Sequence, residues 1–187
     1  MRQRQRVVVT PLQRVVVSPV GPIRLSADPS GRLTELRIGS AVQLPAPTLP
    51  DDDAGALDDG GKQVLENAVA QLDEYFEGQR CRFDLPLAMK GSPFQRQVWA
   101  RLQQIPFGTT TSYGQLATEL GRPGAARAVG HANARNPIAV IVPCHRVIGS
   151  SGSLTGYGGG LGAKQYLLDH EARGRSGRGT DQGLRLA

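Results

Sequence analysis

A cysteine and a histidine stand side by side in the stretch IVPCHRVIG, which covers residues 141–149. The thiolate is the nucleophilic form of cysteine, and a free thiol with a pKa of about 8.5 is only a few per cent ionised at neutral pH. Histidine is the side chain that most often serves as general base, so His145 could remove the proton of Cys144. An unpaired cysteine is more often a small buried apolar residue without a chemical role. The pair alone leaves both interpretations open.

The charge of the chain is concentrated in its second half. Residues 1–90 carry 11 Lys and Arg against 12 Asp and Glu, whereas residues 91–187 carry 11 against 4, within a net charge of +6. A basic half of this kind favours a polyanionic partner such as nucleic acid. The other interpretation is a solvated basic surface followed by a basic tail, because four of the arginines lie after residue 172.

Cysteine content and hydropathy indicate where the protein works. Two cysteines among 187 residues, Cys81 and Cys144, do not make a disulfide framework. The N-terminus begins with basic residues, as a signal peptide does, but its apolar part is interrupted by Pro11, Gln13 and Arg14. No apolar run approaches the roughly 18 residues needed to span a membrane. We therefore expect a cytoplasmic protein of one domain or two small ones.

The first half of the sequence predicts a small sheet and one helix. Alternating apolar residues in PIRLSADPSGRLTELRIG (22–39) indicate two strands around the turn DPSG, and VVV runs at 7–9 and 15–17 add to the sheet. Residues 40–61, rich in Pro, Ala, Asp and Gly, are typical of a surface loop. The stretch GKQVLENAVAQLDEYFEG (61–78) places its apolar residues on one helical face. A domain boundary follows near residues 88–91.

The second half predicts short helices around one buried strand. Ser92 and Ser112 are the expected N-caps of two helices, and a third runs from Pro123 to Asn136. Two short helices joined by a turn with glycine are typical of a helix-turn-helix. The run IAVIV (138–142) predicts a buried strand that leads to PCHR. A final helix follows the glycine-rich GYGGG, and residues 173–187 are expected to form a disordered Gly/Arg-rich tail.

Several motifs of the second half together resemble one family of DNA-repair proteins. PCHRVIG after NPIAVIV, with GSPFQRQVW, SYGQLA and AARAVG, resembles the O6-alkylguanine-DNA alkyltransferases, also called methylated-DNA–protein-cysteine methyltransferases. The resemblance is dense from Gly91 to Glu171 and weak over residues 1–90. It implies an α/β fold class: a small ribonuclease H-like N-terminal domain over 1–90, then a mainly helical, winged helix-turn-helix-like DNA-binding domain over 91–172.

The resemblance also implies a reaction and its residues. Cys144 matches the acceptor that takes an alkyl group irreversibly from O6-alkylguanine, with O4-alkylthymine as a second candidate lesion, so each protein molecule acts once. His145 matches the base, acting through a water, and Glu171 the carboxylate that orients it. Asn136 matches the residue that braces the active-site turn, and Tyr113 the residue that rotates the nucleotide and protonates the departing guanine. No cofactor, metal or methyl donor is required.

Further residues match the family's DNA contacts and base pocket. Arg127 matches the finger that fills the gap left by the flipped nucleotide, a position that suits a planar guanidinium able to stack and donate hydrogen bonds. The other expected contacts are, for DNA, Ala126, Tyr113, Gly130 and Arg135, and, for the base pocket, Val147, Tyr157, Gly158, Gly159 and Gly160. Gly158 stands where many members have serine, so it can donate only through its backbone. The implied partner is double-stranded DNA bound through the minor groove with little sequence specificity, by a monomer that associates with the nucleoid.

Two other functions compete with alkyl transfer. Cys144, His145 and Glu171 could catalyse acyl transfer as a cysteine hydrolase, although the Cys and His of such enzymes usually lie far apart in sequence. A non-catalytic protein that binds alkylated DNA is the second alternative, and relatives of that kind lack the acceptor cysteine. Some family members hold a structural zinc in the N-terminal domain. We expect none here, because Cys81 is the only cysteine of that region and no histidine precedes His131.

Overall fold

The N-terminal part forms a three-stranded antiparallel sheet covered by one helix. The structure is a computed structural model that describes residues 12–39 and 59–179. In this part its elements are β1 (Leu12–Val16), β2 (Ile23–Ala27), β3 (Leu33–Ile38) and α1 (Asp59–Phe76), with the strands in the order β1-β2-β3. The predicted sheet and helix are confirmed. The VVV run at 7–9 and the predicted loop up to residue 58 lie outside the described residues.

The register of the sheet aligns the apolar residues of neighbouring strands. Ile23 lies opposite Ile38, and Leu25 opposite Leu36. The turn between β2 and β3 is closed by the carboxylate of Asp28, which accepts hydrogen bonds from the backbone and the guanidinium of Arg32. Because side chains alternate along a strand, this register places one apolar face against α1. The helix buries its matching face there, with Val64, Leu65, Ala68, Leu72 and Tyr75.

The C-terminal part is mainly helical. Its elements are α2 (Pro93–Leu102), β4 (Thr111–Ser112), α3 (Tyr113–Glu119), α4 (Ala126–Ala134), a 3-10 helix (Cys144–Arg146), β5 (Val147–Ile148) and α5 (Gly160–Gly179). Ser92 and Ser112 cap α2 and α3 as predicted, each in a capping box with the Gln three residues later. The helix predicted from Pro123 begins at Ala126. The helices α3 and α4 are the expected helix-turn-helix pair, and β4 pairs in parallel with β5.

The run IAVIV is buried, but the prediction of a strand there is wrong. Ile138 makes one isolated bridge to Leu36, and the chain then turns, with the N–H of Val142 bonded to the carbonyl of Ile138. Val140 has a φ of +67°, the one positive φ of a non-glycine residue in the described ranges. A β-branched residue rarely adopts this conformation, which costs about 1–3 kcal/mol. The apolar pattern correctly predicted that these residues are buried, but the conformation of their backbone is determined by tertiary contacts.

The predicted disordered tail is wrong for its first residues. Helix α5 continues through residues 173–179, so the tail cannot begin at 173. Residues 180–187 lie outside the described residues. No helix within the described ranges is long and apolar enough to cross a membrane.

The two parts share one hydrophobic core, in which Leu36 of β3 has a central position. Its N–H donates to the carbonyl of Pro137 (2.9 Å), and its carbonyl accepts from the N–H of Ala139 (3.0 Å). The Leu36 side chain is 1% exposed. At the beginning of the same strand, Leu33 makes an isolated bridge to Leu87, in the segment that leads to α2. The sheet therefore holds the segment that leads from α4 to Cys144.

We expect Leu36→Ala to lower the free energy of unfolding by about 2–5 kcal/mol, because it removes buried methyl groups and leaves a cavity between the two parts. Chemical denaturation measures the change. Val17→Ala is the matched control: Val17 follows β1 and is 93% exposed, so its truncation should change stability by less than about 0.5 kcal/mol. Equal effects of the two variants would contradict the central position of Leu36.

Candidate active site

Cys144 begins the 3-10 helix directly after the strained turn, and Asn136 braces that turn. The Nδ2 of Asn136 donates to the carbonyl of Val142 (2.7 Å), and its Oδ1 accepts from the N–H of Ile138 (3.1 Å). Asn136 itself is buried. Two bonds from one side chain fix both ends of the turn, and this explains how Val140 is held in an unfavourable conformation. Cys144 is 5% exposed as a result, at the floor of a cleft.

Glu171 of α5 is a buried carboxylate with five hydrogen bonds. Its Oε1 accepts from His145 Nε2, Tyr75 Oη and Arg146 Nη2, each at 2.8 Å. Its Oε2 accepts from Arg146 Nε (2.8 Å) and from the N–H of Gly108 (3.0 Å). Burial by itself would raise the pKa of Glu171, but the bonds and charges of His145 and Arg146 hold that pKa far below its ordinary value. Glu171 is therefore an anion in the folded protein.

The bond to Glu171 fixes which nitrogen of His145 can act as a base. A carboxylate only accepts hydrogen bonds, so the proton of the neutral imidazole lies on Nε2. Nδ1 then carries the lone pair, and it is buried without a hydrogen-bond partner among the described residues. Burial lowers the pKa of His145, although Glu171 opposes this effect. At neutral pH His145 is an uncharged imidazole able to accept a proton at Nδ1.

The environment of Cys144 keeps its sulfur protonated at rest but offers stabilising groups to the thiolate. Burial raises the pKa of the thiol, while a hydrogen bond from Asn136 and the charge of Lys164 oppose that rise. Lys164 is fully buried in α5, where its Nζ donates to the carbonyls of Val147 (2.7 Å) and Thr155 (3.1 Å). At rest, the pair consists of a neutral thiol and a neutral imidazole. When the proton moves, the thiolate of Cys144 has the positive charge of Lys164 nearby, and the imidazolium of His145 has the negative charge of Glu171.

A cleft leads from the surface of α4 to Cys144. Its inner part, about 440 Å³, is lined by Leu36, Arg37, Ile38, Asn133, Ala134, Ala139, Cys144 and residues 156–159. Its outer part, about 1310 Å³, is lined by Tyr113, Gly114, Ala126, Arg127, Gly130, Ala134, Ser150, Thr155 and residues 156–158. The two parts share Ala134 and the glycine-rich loop, so they form one passage. The hydroxyl of Thr155 donates to Tyr113 Oη (3.0 Å), which leaves the Tyr113 proton available to a molecule in the cleft.

The structure brings most of the sequence-predicted residues together. Cys144, His145, Glu171 and Asn136 form the buried centre, and the cleft includes Tyr113, Ala126, Arg127, Gly130, Tyr157, Gly158 and Gly159. Three predicted residues do not line this cleft. Val147 is fully buried and contributes its carbonyl to Lys164, Gly160 starts α5 with a φ of +87°, and Arg135 lies on the exposed surface between α4 and the start of α2.

Sequence reasoning missed four residues of the centre. They are Tyr75, Asn133, Arg146 and Lys164. Arg146 directly follows Cys144 and His145 in the sequence. It is a basic residue inside an otherwise apolar stretch, and this signal could have identified it. Tyr75 lies on the buried face of α1, but nothing local reveals a partner 96 residues away. Within the described ranges, no group of three or more His, Cys, Asp or Glu residues is arranged to hold a metal ion.

Comparison with known proteins gives matches along nearly the whole described chain. Residues 93–173 match the family model "6-O-methylguanine DNA methyltransferase, DNA binding domain", and residues 12–89 match the "ribonuclease-like domain" of the same family. The chain is 49% identical to a Mycobacterium tuberculosis protein named methylated-DNA–protein-cysteine methyltransferase, over 84% of this chain and 90% of that protein. It is 50% identical to the protein of the same name from Mycolicibacterium paratuberculosis, over 86% and 92%.

A solved structure shares the fold. The crystal structure of Mycobacterium tuberculosis OGT in complex with DNA superposes with a TM-score of 0.71 and 47% sequence identity. The superposition covers 87% of this chain and 93% of that one. Both parts of the chain are therefore similar to one solved protein along nearly its full length.

We expect Glu171→Gln to lower the free energy of unfolding by about 3–5 kcal/mol at neutral pH, because it leaves the buried Arg146 without a counter-charge. A carboxyl with a depressed pKa contributes its full stability above its unfolded pKa, and that contribution is lost as the pH falls below this value of 4.5. The difference between wild type and variant should therefore narrow from about pH 7 to pH 3. Denaturation at several pH values measures it. A constant difference would contradict an ionised Glu171.

Proposed function

The chain belongs to the O6-methylguanine-DNA methyltransferase family, and from this premise we propose that it repairs alkylated DNA by moving the alkyl group of O6-alkylguanine to its own Cys144. The observation that carries the proposal is the buried series Cys144, His145 and Glu171 at the floor of a cleft that opens on α4. A hydrolase or a passive DNA-binding protein would use the same surface, but these alternatives lack the support that the relatives' names give to methyl transfer.

Activation of the nucleophile begins with a proton transfer inside the centre. The thiol proton of Cys144 moves to Nδ1 of His145, directly or through one bridging water. The imidazolium that forms is stabilised by Glu171, whose Oε1 lies 2.8 Å from His145 Nε2. Glu171 is an anion both before and after the proton transfer. Lys164 and Asn136 stabilise the thiolate in a site from which bulk water is excluded, where such fixed charges have their largest effect.

Alkyl transfer is a single displacement at carbon. Sγ of Cys144 attacks the alkyl carbon as the bond from that carbon to O6 breaks, and the electron pair stays on the guanine. The hydroxyl of Tyr113, whose oxygen already accepts from Thr155, gives its proton to the guanine and recovers one from His145 through solvent. The products are guanine and a neutral thioether. A thioether does not hydrolyse under mild conditions, so one protein molecule removes one alkyl group.

The base has to leave the DNA stack before the sulfur can align behind the alkyl carbon. Flipping costs a few kcal/mol and costs least for a damaged, poorly paired base, which contributes to selectivity. The outer cleft gives a base room at the surface of α4, and the glycine-rich loop that it shares with the inner cleft connects it to Cys144. Arg127 is exposed at the rim of this cleft, and this position supports a role in which its side chain enters the stack and occupies the gap.

One face of α4 supplies the contacts to the DNA backbone. Arg127, His131 and Arg135 are exposed at intervals of four residues and so form one line along the helix. Ala126, Gly130 and Ala134 follow the line of the cleft, and small side chains allow a close approach to a narrow minor groove. Binding through phosphates is independent of sequence. A monomer suffices, because one chain provides every residue of the centre.

Replacing the acceptor separates binding from repair. We expect Cys144→Ala to keep the affinity of the wild type for a duplex with one O6-methylguanine, since the cleft and α4 remain intact, and to transfer no methyl group. Fluorescence anisotropy measures binding, and chromatography of the digested DNA measures the remaining lesion. Cys81→Ala is the matched control and should repair at the wild-type rate. Repair by Cys144→Ala would exclude this residue as the acceptor.

Two arginines, Arg127 in α4 and Arg135 at its C-cap, should have different effects when they are replaced. Arg127→Ala should lower the transfer rate from a lesion in paired duplex by about tenfold to a hundredfold, because the flipped state loses its support, and should change transfer from a single strand much less. Arg135→Ala should weaken binding to all duplexes alike and reduce the slope of log affinity against log salt by about 1. Rapid-quench rates and salt titrations separate these effects. Identical behaviour of the two variants would contradict a distinct role for Arg127.

A further inference from the structure

The phenol ring of Tyr113 is fixed by its surroundings, but its hydroxyl proton is not. Tyr113 is the first residue of α3, directly after the capping Ser112, and its ring lies against Gly130 of α4, where a β-carbon would lie 3.7 Å from two ring carbons. A phenol O–H still rotates about its C–O bond, so a fixed ring leaves the direction of the proton open. A general acid works only when its proton points to the acceptor, and a second group is needed to set this direction.

Thr155 is the side chain that contacts this hydroxyl. Its Oγ1 lies 3.0 Å from Tyr113 Oη, in a hydrogen bond that joins residues 42 positions apart. Both residues line the outer cleft, Tyr113 from α3 and Thr155 from the loop between β5 and α5. The bond therefore connects the two elements at the passage through which a base would reach Cys144.

The backbone of Thr155 is held from the interior of the protein. Its carbonyl accepts a hydrogen bond from Nζ of Lys164 (3.1 Å), and the same ammonium donates to the carbonyl of Val147 (2.7 Å), three residues after Cys144. Lys164 is fully buried, whereas Thr155 is exposed. The shared lysine thus sets the position of the Thr155 hydroxyl relative to the reacting sulfur.

A donor at the phenol oxygen is the arrangement that favours release of the Tyr113 proton. A phenol is a stronger donor than an aliphatic alcohol, so a base in the cleft takes the Tyr113 proton while Thr155 donates to the phenol oxygen. Hydrogen bonds that run in one direction polarise one another, so each strengthens the next. As the proton leaves, the bond from Thr155 becomes a bond to an anionic oxygen, which is the stronger kind. Thr155 therefore stabilises the transition state more than the resting state.

We propose that Thr155 is a positioning residue for the general acid: its hydroxyl directs the Tyr113 proton to the departing guanine and stabilises the phenolate that remains. The proposal rests on the proposed function and adds to it a residue that acts through Tyr113. The O–H bond of Tyr113 breaks and its proton bonds to the guanine as the bond from the alkyl carbon to O6 breaks, while the proton of Thr155 stays on its own oxygen. Tyr113 then recovers a proton from the His145 imidazolium through solvent.

Removing the hydroxyl while keeping the shape of the side chain tests this role. Thr155→Val and wild type are each mixed, at saturating concentration, with a duplex that carries one O6-methylguanine, and the single-turnover rate of methyl transfer is measured. We expect the rate to fall by about threefold to tenfold, the effect of one hydrogen bond lost at the transition state, with an unchanged Kd for the duplex. Thr155→Ser keeps the donor and should retain the wild-type rate within about twofold.

A double-mutant cycle shows whether the effect passes through Tyr113. Tyr113→Phe lacks the hydroxyl and should transfer about a hundredfold more slowly than wild type, and in this background Thr155→Val should cause no further loss. Thr118→Val is the matched control on α3, where the Thr118 hydroxyl donates to the carbonyl of Gly114 (3.1 Å), and it should transfer at the wild-type rate.

The outcomes are distinct. An unchanged or faster rate in Thr155→Val would show that the bond has no role or that Tyr113 donates to Thr155, and either would overturn the proposal. Equal losses from Thr155→Val with and without the Tyr113 hydroxyl, or the same loss in Thr155→Ser, would show a purely structural residue and overturn it as well. A wild-type protein that takes no methyl group from O6-methylguanine would overturn the proposed function itself, and the positioning by Thr155 with it.

Discussion

The structure depends on one buried charge, the carboxylate of Glu171. A carboxylate removed from water is very unfavourable unless hydrogen bonds and opposite charge compensate it, and five bonds do so here. The donors come from α1, from the loop before β4 and from the 3-10 helix, so one side chain of α5 fixes the relative positions of four segments. Tyr75 is the contribution of the N-terminal part, and through it the sheet and its helix support the centre.

The same charge determines the chemistry. Because Glu171 fixes the Nε2 proton of His145, the lone pair of Nδ1 remains for the thiol, and the imidazolium has a counter-ion without further rearrangement. Burial disfavours both the thiolate and the imidazolium, so the resting pair of Cys144 and His145 is neutral and unreactive. The alkylated product is neutral as well, which suits a buried site. The reaction replaces the S–H bond of Cys144 with an S–C bond, so it leaves no new charge on the sulfur. The alkyl group stays on the protein, and the site needs no path for releasing it.

Sequence patterns predicted what depends on local chemistry. The capping serines, the apolar face of α1 and the helix-turn-helix pair follow from residue types at fixed spacing, and family motifs identified Cys144, His145, Glu171 and Asn136. The turn at IAVIV was mistaken for a strand because its backbone is held by Asn136 and by Leu36 of the other part, contacts that no local pattern contains. Tyr75, Lys164 and Asn133 were missed for the same reason. Helix α5 extends past residue 173 although composition there favours disorder.

The most direct test of the account is the mass of the intact protein after mixing with an excess of duplex that carries one O6-methylguanine. The account predicts one methyl group per chain, located by peptide mapping on residue 144, and loss of lesion that stops after one equivalent. Removal of more lesion than protein present, or removal that leaves the sulfur of residue 144 unmodified, would contradict it.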